Sequence, residues 1–158
     1  KSTPSENEPE PGGIFMSDKL ILEVFVDLDP DNISELGTEI GGLVMIPFSG
    51  TARGEIFNGI ILPGGVDTQQ ENVNGVRHLS ARYMLEGIDK TGEKCKIFIE
   101  NNGYFTEGGV PNPFKTVPTF RTDSKALAPY LHRNAFRGEG YPSGDQVVIK
   151  IFEILTDG

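Results

Sequence analysis

From Met16 onward apolar residues tend to recur at every second position, and no window of about 11–18 residues carries a helical stripe. Lys19–Asp27 sets Leu20, Leu22, Val24 and Val26 on one face, and Leu43–Phe48 is a continuous apolar run. Ile56–Leu62, Val76–Leu85, Lys94–Asn102, Val117–Thr122 and Gln146–Leu155 complete the predicted strands. Asn74-Gly75, Asp89-Lys90-Thr91-Gly92 and Ser143-Gly144-Asp145 are the expected hairpin turns, because their residues tolerate positive φ or bond their own backbone. Gly50–Gly54 also reads as a turn between strands. Only Ser124–Arg133 looks helical, and Pro129 limits it to one or two turns.

Seven to nine strands with short connections predict an all-β fold, either a sandwich or an antiparallel barrel. The length of Val76–Leu85 favours a barrel of tilted strands, since ten residues exceed the usual five or six. The longest irregular piece, Thr106–Thr116, holds Gly108, Gly109, Pro111 and Pro113, and is expected to border a barrel mouth as a mobile loop. Residues 1–15 are rich in Pro, Glu, Ser and Gly. They read as a polar tail, a cloning remnant or the spacer after a removed export signal, leaving 16–158 as one barrel domain.

Composition narrows the partners. With 14 Lys and Arg against 23 Asp and Glu, the 158-residue chain has a net charge of −9, which repels a phosphate backbone, so nucleic acid is not expected as a partner. No apolar run reaches the roughly 18 residues of a membrane span. The single cysteine, Cys95, excludes an intramolecular disulfide and points to a reducing, cytoplasmic location. Two His and one Cys in separate segments supply no zinc-type ligand set, and the absence of a GxGxxG or phosphate loop argues against a nucleotide cofactor.

Four residues are candidate ligand-binding groups. Asp67 follows the sharp bend Pro63-Gly64-Gly65, so it either caps that bend through backbone N–H groups or aims a carboxylate into a cavity. Arg82 lies on a strand whose alternate positions Leu79, Ala81, Tyr83 and Leu85 are mainly apolar, and parity leaves its face open if the interior is mixed. Pointing inward, it must meet a carboxylate such as Asp67, Glu86 or Glu100; pointing outward, it is a solvated cation. Asn101 shares the side of Cys95, Ile97 and Ile99, and either reads a ligand or turns the chain before Gly103. Asn134 either caps the short helix or is a second pocket amide. Cys95 is expected to be buried and inert, and His78 and His132 lack a nucleophile signature.

The motifs GIILPGGVD (Gly59–Asp67), LSARYMLE (Leu79–Glu86), ENNGYF (Glu100–Phe105), FRT (Phe120–Thr122) and LHRNAFRGEG (Leu131–Gly140) stand in this order in the chain. Together they resemble the uncharacterised protein family 0311, also called domain of unknown function 3237, from about Leu20 to Leu155. The resemblance implies a compact antiparallel barrel of about eight strands and no established general activity. Two positions depart from the family's pattern, Thr68 where an aromatic is common and Asn102 where an Arg is common. Three functional classes follow: a barrel holding a small polar or aromatic molecule at its open end; a cofactor-free isomerase or cyclase using Asp67 as acid–base and Arg82 as charge stabiliser; and a structural module that associates with copies of itself.

Overall fold

The computed structural model describes residues 17–106 and 108–155, so the polar segment expected to lie outside the core falls outside the described residues. Ten strands form one antiparallel sheet that closes on itself. They are β1 (Lys19–Leu28), β2 (Ser34–Thr38), β3 (Gly41–Arg53), β4 (Phe57–Ile61), β5 (Val66–Asn72), β6 (Arg77–Asp89), β7 (Lys94–Phe105), β8 (Phe114–Thr122), β9 (Phe136–Ser143) and β10 (Gln146–Glu153). Closure comes from β1, which pairs with β10 on one side and with Phe48–Arg53 of β3 on the other.

The long strand β3 organises two split walls. Its first half pairs with β2 and β5, and its second half with β1 and β4. β6 spans the same split, pairing with β4 near one end and β5 near the other. Counting each split wall once gives eight staves. Closure removes the free edges that an open sheet would leave, except at β2, which pairs only with β3 and is exposed throughout.

Three strands and two turns differ from the sequence expectation. β2, β5 and β9 lack an apolar alternation, and Gly50–Arg53 lies inside β3 rather than in a turn. Gly50 sits there with φ +144°, so close to the Phe25 carbonyl that a side chain would collide with it. The Asn101–Gly103 segment likewise continues β7 to Phe105 instead of turning. The helix expected within Ser124–Arg133 is present as one turn, α1 (Ala128–Leu131), preceded by Ser124, whose hydroxyl accepts from Leu127 N–H at 3.1 Å.

The core is lopsided along the barrel axis. Around α1, Leu127, Leu131, Leu85, Ile97, Ile151, Phe57, Phe120 and Phe136 pack into a solid plug. Asp89 ties this end together: it accepts from Thr91 N–H and hydroxyl and from Ser124 hydroxyl. The Thr91 and Ser124 bonds hold its carboxyl down at about 2. Towards the opposite end the inward positions, still largely apolar, come to include Asp67, Gln69 and Asn101.

Candidate functional site

The change begins where Pro63–Gly65 reverses the chain into β5, with Gly64 at φ +107° and Phe48 N–H donating to Gly65 O at 3.0 Å. Two residues on, Asp67 stands within β5, opposite Ile46 on β3 and Ala81 on β6. Ala81 in turn stands opposite Asn101 on β7. Ile46, Asp67, Ala81 and Asn101 therefore form one row across four neighbouring strands, and the methyl of Ala81 leaves space between the two polar side chains. Tyr83, two positions along β6 on the same inward face, lies beside that space.

These residues line a cavity of about 240 Å³ inside the barrel. Its walls are chiefly apolar, with Phe48, Leu79, Val147 and Ile149 from the strands. Val110, from the segment before β8, and Phe114, at its start, close one side, so the Thr106–Thr116 region does border the cavity. The buried positions of β9 here are Gly138, with Thr116 over it, and Gly140. The Phe114 ring lies directly over Gly140, in the space a side chain there would occupy.

Three polar atoms of the lining residues are buried with no hydrogen-bond partner among the described residues: Asp67 Oδ1, Tyr83 OH and Asn101 Oδ1, the last beside Gly138 on β9. Tyr83 is 4% exposed and Asn101 3% exposed. Thr116 Oγ1, which flanks Gly138 as Asn101 does, is likewise buried and unpartnered. Buried polar groups are nearly always paired, and each left unpaired costs about 1–3 kcal/mol, so four in one region mark a place where the fold gives up stability.

The other Asp67 oxygen is held. Gln69 Nε2 donates to Asp67 Oδ2 at 2.8 Å, and Arg77 Nη1 donates to Gln69 Oε1 at 3.0 Å. Arg77 also pairs with Glu71 at 2.7 Å. The guanidinium thereby fixes which way the Gln69 amide faces, and through it the rotation of the carboxyl. Burial raises the Asp67 pKa, with the Gln69 bond opposing it, and burial also pushes the Tyr83 phenol up.

Of the four residues named from sequence, the structure brings Asp67 and Asn101 together at the cavity and leaves Arg82 and Asn134 outside. Asp67 is not a backbone cap, since its recorded partner is the Gln69 side chain. Arg82 points outward because its strand buries the odd-numbered face. Its side chain is 63% exposed and reaches Glu100 at 3.2 Å, so no Arg82–Asp67 pair forms. Asn134 is exposed beyond α1. Tyr83 and Gln69 were not singled out: Tyr83 reads as one more apolar member of its face, and Gln69 lies in a strand without alternation. The available signal was the phenol itself, a polar tip on a buried face that must find a partner.

Elsewhere the chemistry is quiet. Cys95 is buried and its thiol is pushed up to about 11, chiefly by burial. No group of three or more His, Cys, Asp or Glu side chains able to hold a metal forms among the described residues. Among those residues no helix is long and apolar enough to cross a membrane.

Fold and cavity together define a small closed antiparallel barrel whose interior carries a short row of polar groups. The chain belongs to the family described as protein of unknown function (DUF3237), whose sequence profile matches residues 17–154. It is 37% identical over 100 residues to a UPF0311 protein of Clostridium acetobutylicum, a match covering 54% of this chain and 61% of that relative's length. A UPF0311 protein of Rhodopseudomonas palustris is 27% identical over 141 residues, covering 80% and 88% of the two chains. The crystal structure of a protein with unknown function from Clostridium acetobutylicum superposes with a TM-score of 0.71 at 30% identity, over 89% of this chain and all of the other. A β-barrel-like protein from Acinetobacter baumannii superposes with a TM-score of 0.68 at 24% identity, over 94% and 99%, a likeness of fold alone.

Proposed function

We propose that this barrel binds one small molecule, with an apolar body and a polar head group, in the cavity over Ala81. The observation that carries the reading is the set of unpartnered buried atoms, Asp67 Oδ1, Tyr83 OH and Asn101 Oδ1, on residues that line an otherwise apolar space. A binding site is where such groups are tolerated, because the ligand supplies the missing bonds. At about 240 Å³ the space falls just below the roughly 300–1,000 Å³ of typical ligand pockets, which suits a single-ring compound.

The test is a thermal-shift screen of single-ring compounds, repeated on Ala81→Leu. The larger side chain fills the space between Asp67 and Asn101, so it is expected to abolish every shift while leaving the unliganded melting temperature unchanged or higher. Shifts that persist in Ala81→Leu would place binding elsewhere.

A second reading is favoured by one observation, the raised pKa of a carboxyl inside a cavity, which suits a general acid–base. In a cofactor-free isomerase, Asp67 would move a proton on the bound molecule. Tyr83, rather than the outward Arg82, would donate to the developing negative charge. Solvent deuterium entering a bound ketone next to its carbonyl, in wild type but not in Asp67→Asn, would support it; equal exchange in both would exclude it.

A further inference from the structure

We propose that a second copy of this chain docks on the outer face of the wall that β2, β3, β5, β6 and β7 build around the cavity end of the barrel. The strand register defines that face. One row of neighbours runs from β2 to β8 through Ser34, Met45, Thr68, Ser80, Asn102 and Val117. The next runs through Leu36, Leu43, Gln70, His78 and Tyr104. Thr38, Gly41 and Asn72 begin a third. Side chains alternate along a strand, and Asp67, Leu79, Ala81 and Asn101, each one position away, line the cavity, so these rows face outward.

Charge is sorted between the two sides of this wall. None of the outward positions in these rows is Asp, Glu, Lys or Arg, although 23% of the chain is charged. The charged residues of the same stretches, Glu35, Asp67, Glu71 and Arg77, stand at the alternate positions. Towards α1 the outer surface of β6 and β7 returns to the ordinary pattern, with Arg82 beside Glu100 and Glu86 beside Lys96. Lys115, two positions before Val117, marks the rim on β8.

Where solvent would usually meet charge, the rows present large apolar and aromatic side chains: Leu36 is 55% exposed, Val117 63% and Tyr104 69%. Ile40 and Val73, in the adjoining turns, are exposed as well. Tyr104 stacks on His78 with ring centroids 4.4 Å apart, and His78 Nε2 lies 3.1 Å from Asn102 Oδ1. An exposed tyrosine already held in place loses little freedom when a partner covers it, which suits an interface anchor.

Charge also selects the occupant. Two copies at net −9 each repel, and an interface related by a two-fold axis sets one patch against itself. A patch with its share of acidic residues would press acid on acid; a patch with none avoids that cost. A partner of opposite charge would call for the reverse, an acidic face. The hydroxyls and amides of Ser34, Thr68, Ser80, Asn102 and Gln70 can both donate and accept, so the face is complementary to itself. Those polar groups, without any Lys or Arg, are unlike a membrane-binding surface. At about 4.8 Å between strands and about 6.8 Å between alternate residues, the rows cover about 500 Å². Two copies then bury about 1,000 Å², the lower bound of a specific interface, so the expected dimer is a weak one that forms at micromolar concentration.

The experiment is sedimentation velocity of the whole chain from about 1 to 200 μM, at about pH 8, where an ordinary imidazole is neutral. The mass is expected to rise with concentration towards twice the 17.2 kDa of one copy. Leu36→Glu and Tyr104→Glu, each checked by melting, put like charges into the contact and should raise the dissociation constant at least about tenfold. Ile60→Glu, an exposed position on β4 outside the face, should leave it unchanged. A monomer throughout the range would overturn the proposal. So would a dimer that persists in both Leu36→Glu and Tyr104→Glu, or one lost in Ile60→Glu. A monomer that instead co-sediments with phosphatidylcholine vesicles would overturn it too and give the face to a membrane.

Discussion

Asp67 and Arg82 divide the residue scale between a carboxyl that burdens the fold and a cation that hardly touches it. Because burial raises the Asp67 pKa, the folded chain holds that proton more tightly than the unfolded chain. The group's contribution to stability is therefore present in full below its ordinary pKa of 3.8 and is lost as pH rises through the raised value. Asp67→Asn, which stays neutral, should accordingly be more stable than wild type near pH 7 by about 0.5–2 kcal/mol, the usual gain when a functional residue is relieved. The gap should close below about pH 4, and denaturant titration at the two pH values checks the sign. Arg82→Ala removes one exposed ion pair with Glu100, so its expected cost is no more than about 0.5 kcal/mol. A loss of 3–5 kcal/mol, the cost of stranding a buried charge, would mean that Arg82 turns inward. Asp67 was legible because a bend signalled it, and Asn101 because its strand alternates cleanly. Arg82 was ambiguous only while a mixed interior was entertained; the buried odd face of β6 decides it.

At the scale of elements, the strands that build the cavity are the ones that hide in the sequence. β1, β6, β7 and β10 bury large apolar side chains on one face, and the period of two exposes them. β5 turns Asp67 and Gln69 inward where a core strand would carry Val or Ile, and β9 turns Gly138 and Gly140 inward. Polar side chains on one strand and glycines that admit neighbouring side chains on the other erase the alternation by which these strands would be recognised. β2 is missed for a different reason: it is paired on one side only and buries nothing. The glycine account has a direct check. A methyl at Gly140 meets the Phe114 ring, so Gly140→Ala must displace Phe114 and should cost about 1–3 kcal/mol, the range for overpacking. Thermal melting of Gly140→Ala alone and with Phe114→Ala tests it. The double variant should lose less than the sum of the two single changes, since the shared contact is counted once.

On the scale of the whole molecule, the barrel separates its two tasks along one axis. The α1 end is a packed plug in which Ile97, Leu85 and Leu131 are almost wholly buried and Asp89 is saturated with donors. The other end keeps a cavity and leaves Asp67, Tyr83 and Asn101 short of partners. Stability is concentrated at the first and given up at the second, which is how a small rigid scaffold can carry unsatisfied groups without losing its shape. The overall architecture was legible because strand length and hairpin turns already imply closure. The division into plug and cavity was not, because it depends on which residues the register brings into one row.

The most direct test of that division is methyl NMR of the Ala- and Ile-labelled chain, titrated with the single-ring compound that gives the largest thermal shift. If the cavity binds it, the shifted signals are Ala81, Ile46 and Ile149, which line the space, while Ile97 and Ile151 in the core around α1 stay still. Shifts confined to surface methyls such as Ile60 and Ile88, or spread evenly through both ends, would contradict a ligand held over Ala81.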